Sequence, residues 1–112
     1  MNETDFMQQV TDLAELHNWS WAHFRPAQTA KGWRTPVSGP LGKGWPDLVL
    51  ARPHRGVLKG PGRIIFAELK TDTGKASADQ AAVLALLSEA HPYGEVYLWQ
   101  PKDFDEIVAV LR

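Results

Sequence analysis

Phe6, Val10, Leu13 and His17 recur at helical spacing with Met7 and Ala14 beside them, so residues 3 to about 17 read as an amphipathic helix with Asn2 as its N-cap. The period then changes. Ser20 to Phe24 is short and aromatic, with Trp21 and Ala22 apolar, which suits a strand. From Arg25 to Gly44 the Gly, Pro, Thr, Lys and Arg residues sustain no period, and the segment reads as one long structureless stretch, usually a functional feature in a small domain. Leu48 to Arg52 reads as a buried strand, and "RIIFAELK", residues 63 to 70, as the clearest strand of the chain. The turn-rich "HRGVLKGPG" between them makes the two antiparallel hairpin neighbours. After the turn "TDTGKAS", Ser77 to Ala90 reads as a helix with a Leu and Ala interior, and Glu95 to Trp99 as another strand. Asp103 and Glu106 have capping-box spacing, so Phe104, Ile107, Val108 and Leu111 start a closing helix.

The order α-β-β-β-α-β-α predicts an α/β fold with a mixed β-sheet flanked by helices, because the strand, helix, strand unit from 63 to 99 needs a right-handed parallel crossover. A length of 112 residues leaves room for one domain over residues 1-112. There is no cysteine, so disulfides and thiolate metal sites are excluded. The N-terminus carries acids and no apolar h-region, and no apolar stretch is long enough to span a bilayer, so the expectation is a soluble, cytoplasmic protein without a membrane partner.

The formal net charge of -1 argues against a polyanionic partner until the charges are placed along the chain. Residues 1 to 24 hold four acids and no Lys or Arg. Residues 64 to 112 hold eight acids against four bases. Residues 25 to 63 hold eight bases against Asp47 alone, a net +7, with Trp33 and Trp45 among them. That middle third reads either as a phosphate-tracking surface with rings for stacking or as a solvated loop region of incidental charge.

Glu68 and Lys70 lie two apart on "FAELK" and so share one face of the strand, while Ala67 and Leu69 face the other side with Ile65. Alone, such a pair is commonly a solvated one. Asp47 gives it a partner: it opens the preceding strand, and across a hairpin its carboxylate reaches the same sheet edge as Glu68. Two carboxylates and a strand carbonyl make an oxygen-only site suited to Mg²⁺ or Mn²⁺ and poorly suited to zinc. Lys70 then stands where an ammonium orients a water or offsets phosphate charge. The competing account of Asp47 is a cap in the Pro turn "GWPD".

Glu3 lies on the apolar stripe of the first helix, where it either looks inward or simply favours the helix N-terminus. Gln80 completes a capping box with Ser77, yet shares a stripe with Leu84 and Leu87 that leans toward Glu68 and Lys70. No His pair has zinc-ligand spacing, and His23, in "HFRPA", is either a strand-end residue or a phosphate contact. No Gly-rich phosphate loop, G-x-S-x-G elbow or dinucleotide fingerprint occurs. Gly39, Gly42 and Gly44 read as a flexible approach to Asp47.

Taken in order, Glu3, "GWPD" ending at Asp47, "ELK" giving Glu68 and Lys70, and "SADQ" ending at Gln80 resemble the VRR-NUC family of the PD-(D/E)xK nuclease superfamily. The likeness covers almost the whole chain, through to "VYLWQPKDFDEIVAVL". It implies a restriction endonuclease-like core and Mg²⁺-dependent hydrolysis of phosphodiester bonds in DNA. Stand-alone members from viruses or bacteria imply branched or otherwise structured DNA as substrate, often cut by dimers. By this resemblance Asp47 and Glu68 would be metal ligands with the Leu69 backbone carbonyl a third, and Lys70 would position the nucleophilic water. Glu3 would support the metal site from the first helix, Gln80 would orient Lys70 or the water, and Arg25, Lys31, Arg34 and Lys43 would contact phosphates. The 25 to 44 stretch departs from the family pattern. A core this small has little surface with which to clamp a branched duplex, which argues for a homodimer. The alternative function is a non-catalytic DNA-binding module on the same fold.

Overall fold

The computed structural model describes residues 1–24, 27–34 and 37–112, and for residues 27–29, 33 and 34 the backbone alone. Asn2 caps the first helix as expected, its side-chain oxygen accepting the Asp5 N–H at 2.8 Å, and α1 runs over Glu3–Leu16. Asn18, at φ 64°, then turns the chain in the left-handed region that Asn tolerates. The elements that follow are β1 (Ser20–His23), β2 (Ala27–Thr29), β3 (Gly32–Arg34), β4 (Leu48–Arg52), β5 (Arg63–Leu69), α2 (Ala78–Ala90), β6 (Gly94–Trp99), a 3₁₀ turn (Pro101–Asp103) and α3 (Phe104–Leu111).

Four strands form one mixed sheet in the order β1-β4-β5-β6, antiparallel at the first two joints and parallel between β5 and β6. The parallel joint follows from chain economy: α2 carries the chain back along the sheet, so β6 starts at the same end as β5. The protein is thus a mixed α/β fold of a four-stranded sheet and three helices. Alternation along the strands sorts the side chains. Leu48 and Leu50 of β4 and Ile65, Ala67 and Leu69 of β5 enter a core with Phe6, Met7, Val10 and Ala14 of α1, Trp99 of β6, and Ile107 and Leu111 of α3. Each large side chain buried there contributes roughly 1.5–3 kcal/mol. The opposite face, with Phe66 and Glu68, lies under α2, whose Val83 is buried.

Several expectations are corrected. The 25 to 44 stretch is not structureless, since β2 and β3 pair as a separate antiparallel hairpin, Ala27 opposite Arg34 and Thr29 opposite Gly32. Asp103 does not cap α3; its carboxylate accepts the Gln100 N–H at 2.9 Å, because Pro101 starts a 3₁₀ turn three residues earlier than the capping-box spacing suggested. Two of the three glycines before Asp47 are packed rather than loose: a Cβ on Gly42 would lie 2.2 Å from the Val37 carbonyl oxygen, and one on Gly44 would lie 2.4 Å from that of Asp79, whereas one on Gly39 would meet nothing within 4 Å.

Two cations of the basic middle third, Arg52 and Arg63, are taken up in the fold. Arg52 occupies the next core-facing position after Leu48 and Leu50, at the end of the sheet away from Asp47. Its guanidinium lies 4.3 Å from the Trp19 ring centroid and donates to the carbonyls of His17, Leu111 and Arg112. Arg63 forms a bidentate pair with Glu95 at 2.8 and 2.7 Å and donates to the Val110 carbonyl. These two cations satisfy the carbonyl end of α3, where such groups are otherwise orphaned. Among the described residues, no helix is long and apolar enough to cross a membrane.

Candidate active site

The site forms where β4 begins and β5 ends, which is where the antiparallel register brings the two strands' chemistry together. Leu48 stands opposite Ala67, so Asp47 extends the ladder to the level of Glu68. Asp47 Oδ2 accepts the Leu69 N–H at 3.0 Å, and the Asp47 carbonyl accepts the Phe24 N–H at 2.8 Å. Its carboxylate is therefore fixed to β5 rather than capping its own turn. Because N–H and C=O of one strand residue point the same way, the Leu69 carbonyl faces that same edge.

Three contacts fix the turn that delivers Asp47. Trp45 stands edge-on between Phe24 and Phe66, with ring centroids 5.9 and 5.8 Å away. Pro46 is fully buried. Gly44, at φ +103°, sits against the backbone of Asp79 and Gln80 in the first turn of α2, an approach no other residue could make. The sequence reading missed this clamp, although one aromatic, Trp45, set between a Gly and a Pro is a signal of tight packing.

Glu68 is only 1% exposed. Its Oε1 accepts from Gln80 Nε2 at 3.2 Å and faces Lys70 Nζ at 3.9 Å. Its Oε2 is buried and, with both Glu68 and Asp47 ionised, finds no donor among the described residues. Burial first, then Asp47 as hydrogen-bond partner and neighbouring charge, push the carboxyl up to about 9; Lys70 pulls the other way, and the charge of Glu3 adds to the rise. Two carboxyls can hydrogen-bond only by sharing a proton. At neutral pH the pair therefore either keeps that proton or takes a cation in its place, and the donorless Oε2 is the atom that gains most from one.

Gln80 fulfils both roles the sequence left open. Its Oε1 accepts the Ser77 N–H at 2.8 Å in the capping box while its Nε2 holds Glu68. Glu3 stays exposed at the start of α1 and reaches the site by its charge. Among the described residues no three His, Cys, Asp or Glu side chains converge as a ready metal cage. A hard, hydrated cation does not require one, since Mg²⁺ is commonly held by one or two carboxylates together with waters and substrate phosphate.

Three of the five expected phosphate contacts have described side chains. His23, half-buried, ends β1 opposite Leu48, close in register to Asp47. Lys31 lies at the exposed turn between β2 and β3. Lys43 pairs with Asp79 at 3.4 Å on the surface. Arg25 and the side chain of Arg34 lie outside the described residues. No protein-family model, no curated protein and no solved structure matches the chain.

Proposed function

We propose that this chain is a nuclease of the VRR-NUC family with a restriction endonuclease-like core, hydrolysing phosphodiester bonds in branched or otherwise structured DNA with Mg²⁺ or Mn²⁺. The proposal includes action as a homodimer in the cytoplasm of a bacterial or phage-infected cell. One observation carries it: a buried Glu68 carboxyl with a donorless oxygen, beside Asp47, flanked by Lys70 and Gln80. A protein has little reason to bury such a pair for stability, because apolar residues of similar volume would serve the fold better.

Asp47 and Glu68 would hold the cation, with the Leu69 carbonyl on the same strand edge, and the bound ion supplies a Lewis acid for the attacked phosphate and an acidified water. The rest is done by the chain itself. Asp47 is held in place by the Leu69 N–H, which donates to its Oδ2. Gln80 immobilises Glu68 Oε1 and leaves Oε2 available. Lys70 presents N–H donors beside Glu68, positioned to orient the attacking water and to offset charge on the phosphate as the new P–O bond forms and the leaving oxygen departs. Glu3 adds negative potential that favours a cation at the pair.

The test is a labelled panel of single strand, duplex, flap and four-way junction incubated with Mg²⁺, with Mn²⁺ and with chelator. Cleavage that requires the divalent ion and prefers a branched member supports the reading. Salt-sensitive binding without cleavage under any divalent ion would instead identify a non-catalytic DNA-binding module.

A further inference from the structure

The geometry points to a second phosphate subsite next to the proposed cleavage site. It is the cleft between the 72–76 turn and the end of β6, where Lys75 and Lys102 grip a backbone phosphate of the nucleic-acid strand flanking the scissile bond. This rests on the nuclease reading and extends it, since it states which side of the site the substrate strand occupies.

The cleft measures 640 Å³, and Lys75 and Lys102 line it together with Asp72, Thr73, Leu98 and Gln100. Its place in the chain ties it to the chemistry. The 71–76 segment is the link between Lys70 on the sheet and Ser77, the cap of the helix that presents Gln80. The opposite wall is the outgoing end of β6, whose Trp99 carbonyl accepts the Lys70 N–H at 2.9 Å. The cleft thus opens outside the carboxyl ends of the parallel strands β5 and β6, where open α/β sheets commonly bind ligands.

The walls are preorganised. Gln100 Nε2 donates to the carbonyls of Thr71 at 3.0 Å, Gly74 at 3.2 Å and, more weakly, Asp72 at 3.4 Å, so one side chain pins the turn from across the cleft. The Gly74 N–H closes the turn on the Thr71 carbonyl at 3.0 Å. The nearby acids are turned to the backbone: Asp72 Oδ1 accepts the Lys102 N–H at 2.9 Å, and Asp103 Oδ2 accepts the Gln100 N–H at 2.9 Å, so the two lysines outnumber the one acid, Asp72, that lines the cleft. Both lysines are exposed and, among the described residues, neither is in an ion pair. Two ammonium groups without an ion pair among the described residues, one on each wall of the cleft, suit a phosphate approached as a point charge. Lys43, by contrast, already has Asp79.

The experiment measures binding of a fluorescently labelled four-way junction by anisotropy in EDTA, where no metal-dependent cleavage occurs, over about 50–200 mM NaCl. The proteins are the wild type, Lys75→Ala, Lys102→Ala, the double variant, the Lys75→Arg/Lys102→Arg variant and Lys59→Ala, in the loop at the far end of the sheet. The slope of log K against log[salt] is expected to fall in magnitude by about 0.9 when both lysines are lost, since they share one phosphate, by less in either single variant, and to be restored by arginine. Lys59→Ala is expected to match wild type. A double variant with the wild-type slope overturns the cleft while leaving the nuclease reading standing, and so does an equal loss in Lys59→Ala, which would mean diffuse attraction. A wild type with no salt-dependent DNA binding overturns both.

Discussion

Gln80 joins two elements through one side chain: its Oε1 accepts the Ser77 N–H at 2.8 Å and its Nε2 donates to Glu68 Oε1 at 3.2 Å. The start of α2 and the Glu68 carboxyl of β5 are therefore positioned by the same amide. Gln80→Ala is expected to lose a cap interaction, about 1 kcal/mol, together with roughly tenfold in metal-dependent cleavage. Gln80→Glu keeps the capping acceptor but removes the donor to Glu68. Its melting temperature should stay nearer wild type while its cleavage stays low. Thermal melts and cleavage rates measured on the same preparations check both.

Glu68 makes stability depend on pH in a direction that can be worked out. Burial and Asp47 raise its carboxyl to about 9 in the native state from 4.5, so across that window the folded chain holds a proton the unfolded chain has released. Stability in chelator should therefore fall as pH rises from about 5 to about 9. Glu68→Gln supplies an uncharged donor toward Asp47. It should flatten the profile and exceed wild type near pH 8 by at least about 1 kcal/mol, some 4 °C for a domain of this size. Added Mg²⁺ should stabilise wild type at high pH and leave Glu68→Gln little changed. Denaturation scans at three pH values read all of this.

Gly44 is needed twice, for its φ of +103° and for its approach to the α2 backbone. Gly44→Ala should destabilise by about 2–4 kcal/mol and reduce cleavage per folded molecule, because the Trp45–Pro46–Asp47 turn loses its seat. Gly39 also has a positive φ, but a Cβ there would meet nothing within 4 Å. Gly39→Ala should therefore cost less stability than Gly44→Ala and spare activity. The comparison separates backbone strain from packing.

Arg52 tests the assignment of the distal cluster to structure. Arg52→Ala strips the Trp19 ring of its stacked cation and leaves the carbonyls of Leu111 and Arg112 without its donors. The expected loss is roughly 2–3 kcal/mol, with cleavage per folded molecule unchanged because Asp47 lies at the other end of β4. Urea titration alongside specific activity checks it.

What the sequence revealed and what it hid follow from the range of the interactions involved. Glu68 and Lys70 could be placed on one face because strand alternation is local, and Asp47 joined them because a hairpin register extends only a few residues. The β2–β3 hairpin was hidden because "AQT" and "GWR" are three residues each, too short for a period to register. Asp103 was assigned to the wrong turn because capping spacing recurs and Pro101 selected the earlier one. Arg52 and Arg63 counted toward a basic surface because charge counting cannot see acceptors that lie 32 to 60 residues away in the chain. Gly44 was read as flexible because a glycine that permits close approach and one that permits motion look the same until the neighbouring backbone is in place.

The most direct test of the central claim compares wild type, Asp47→Asn and Lys70→Ala as purified, folded proteins on a labelled four-way junction with Mg²⁺, measuring strand cleavage and binding together. Wild type should cut, and both variants should bind the junction with affinity close to wild type while cutting at least about a hundredfold more slowly. Undiminished cleavage by either variant would contradict the account.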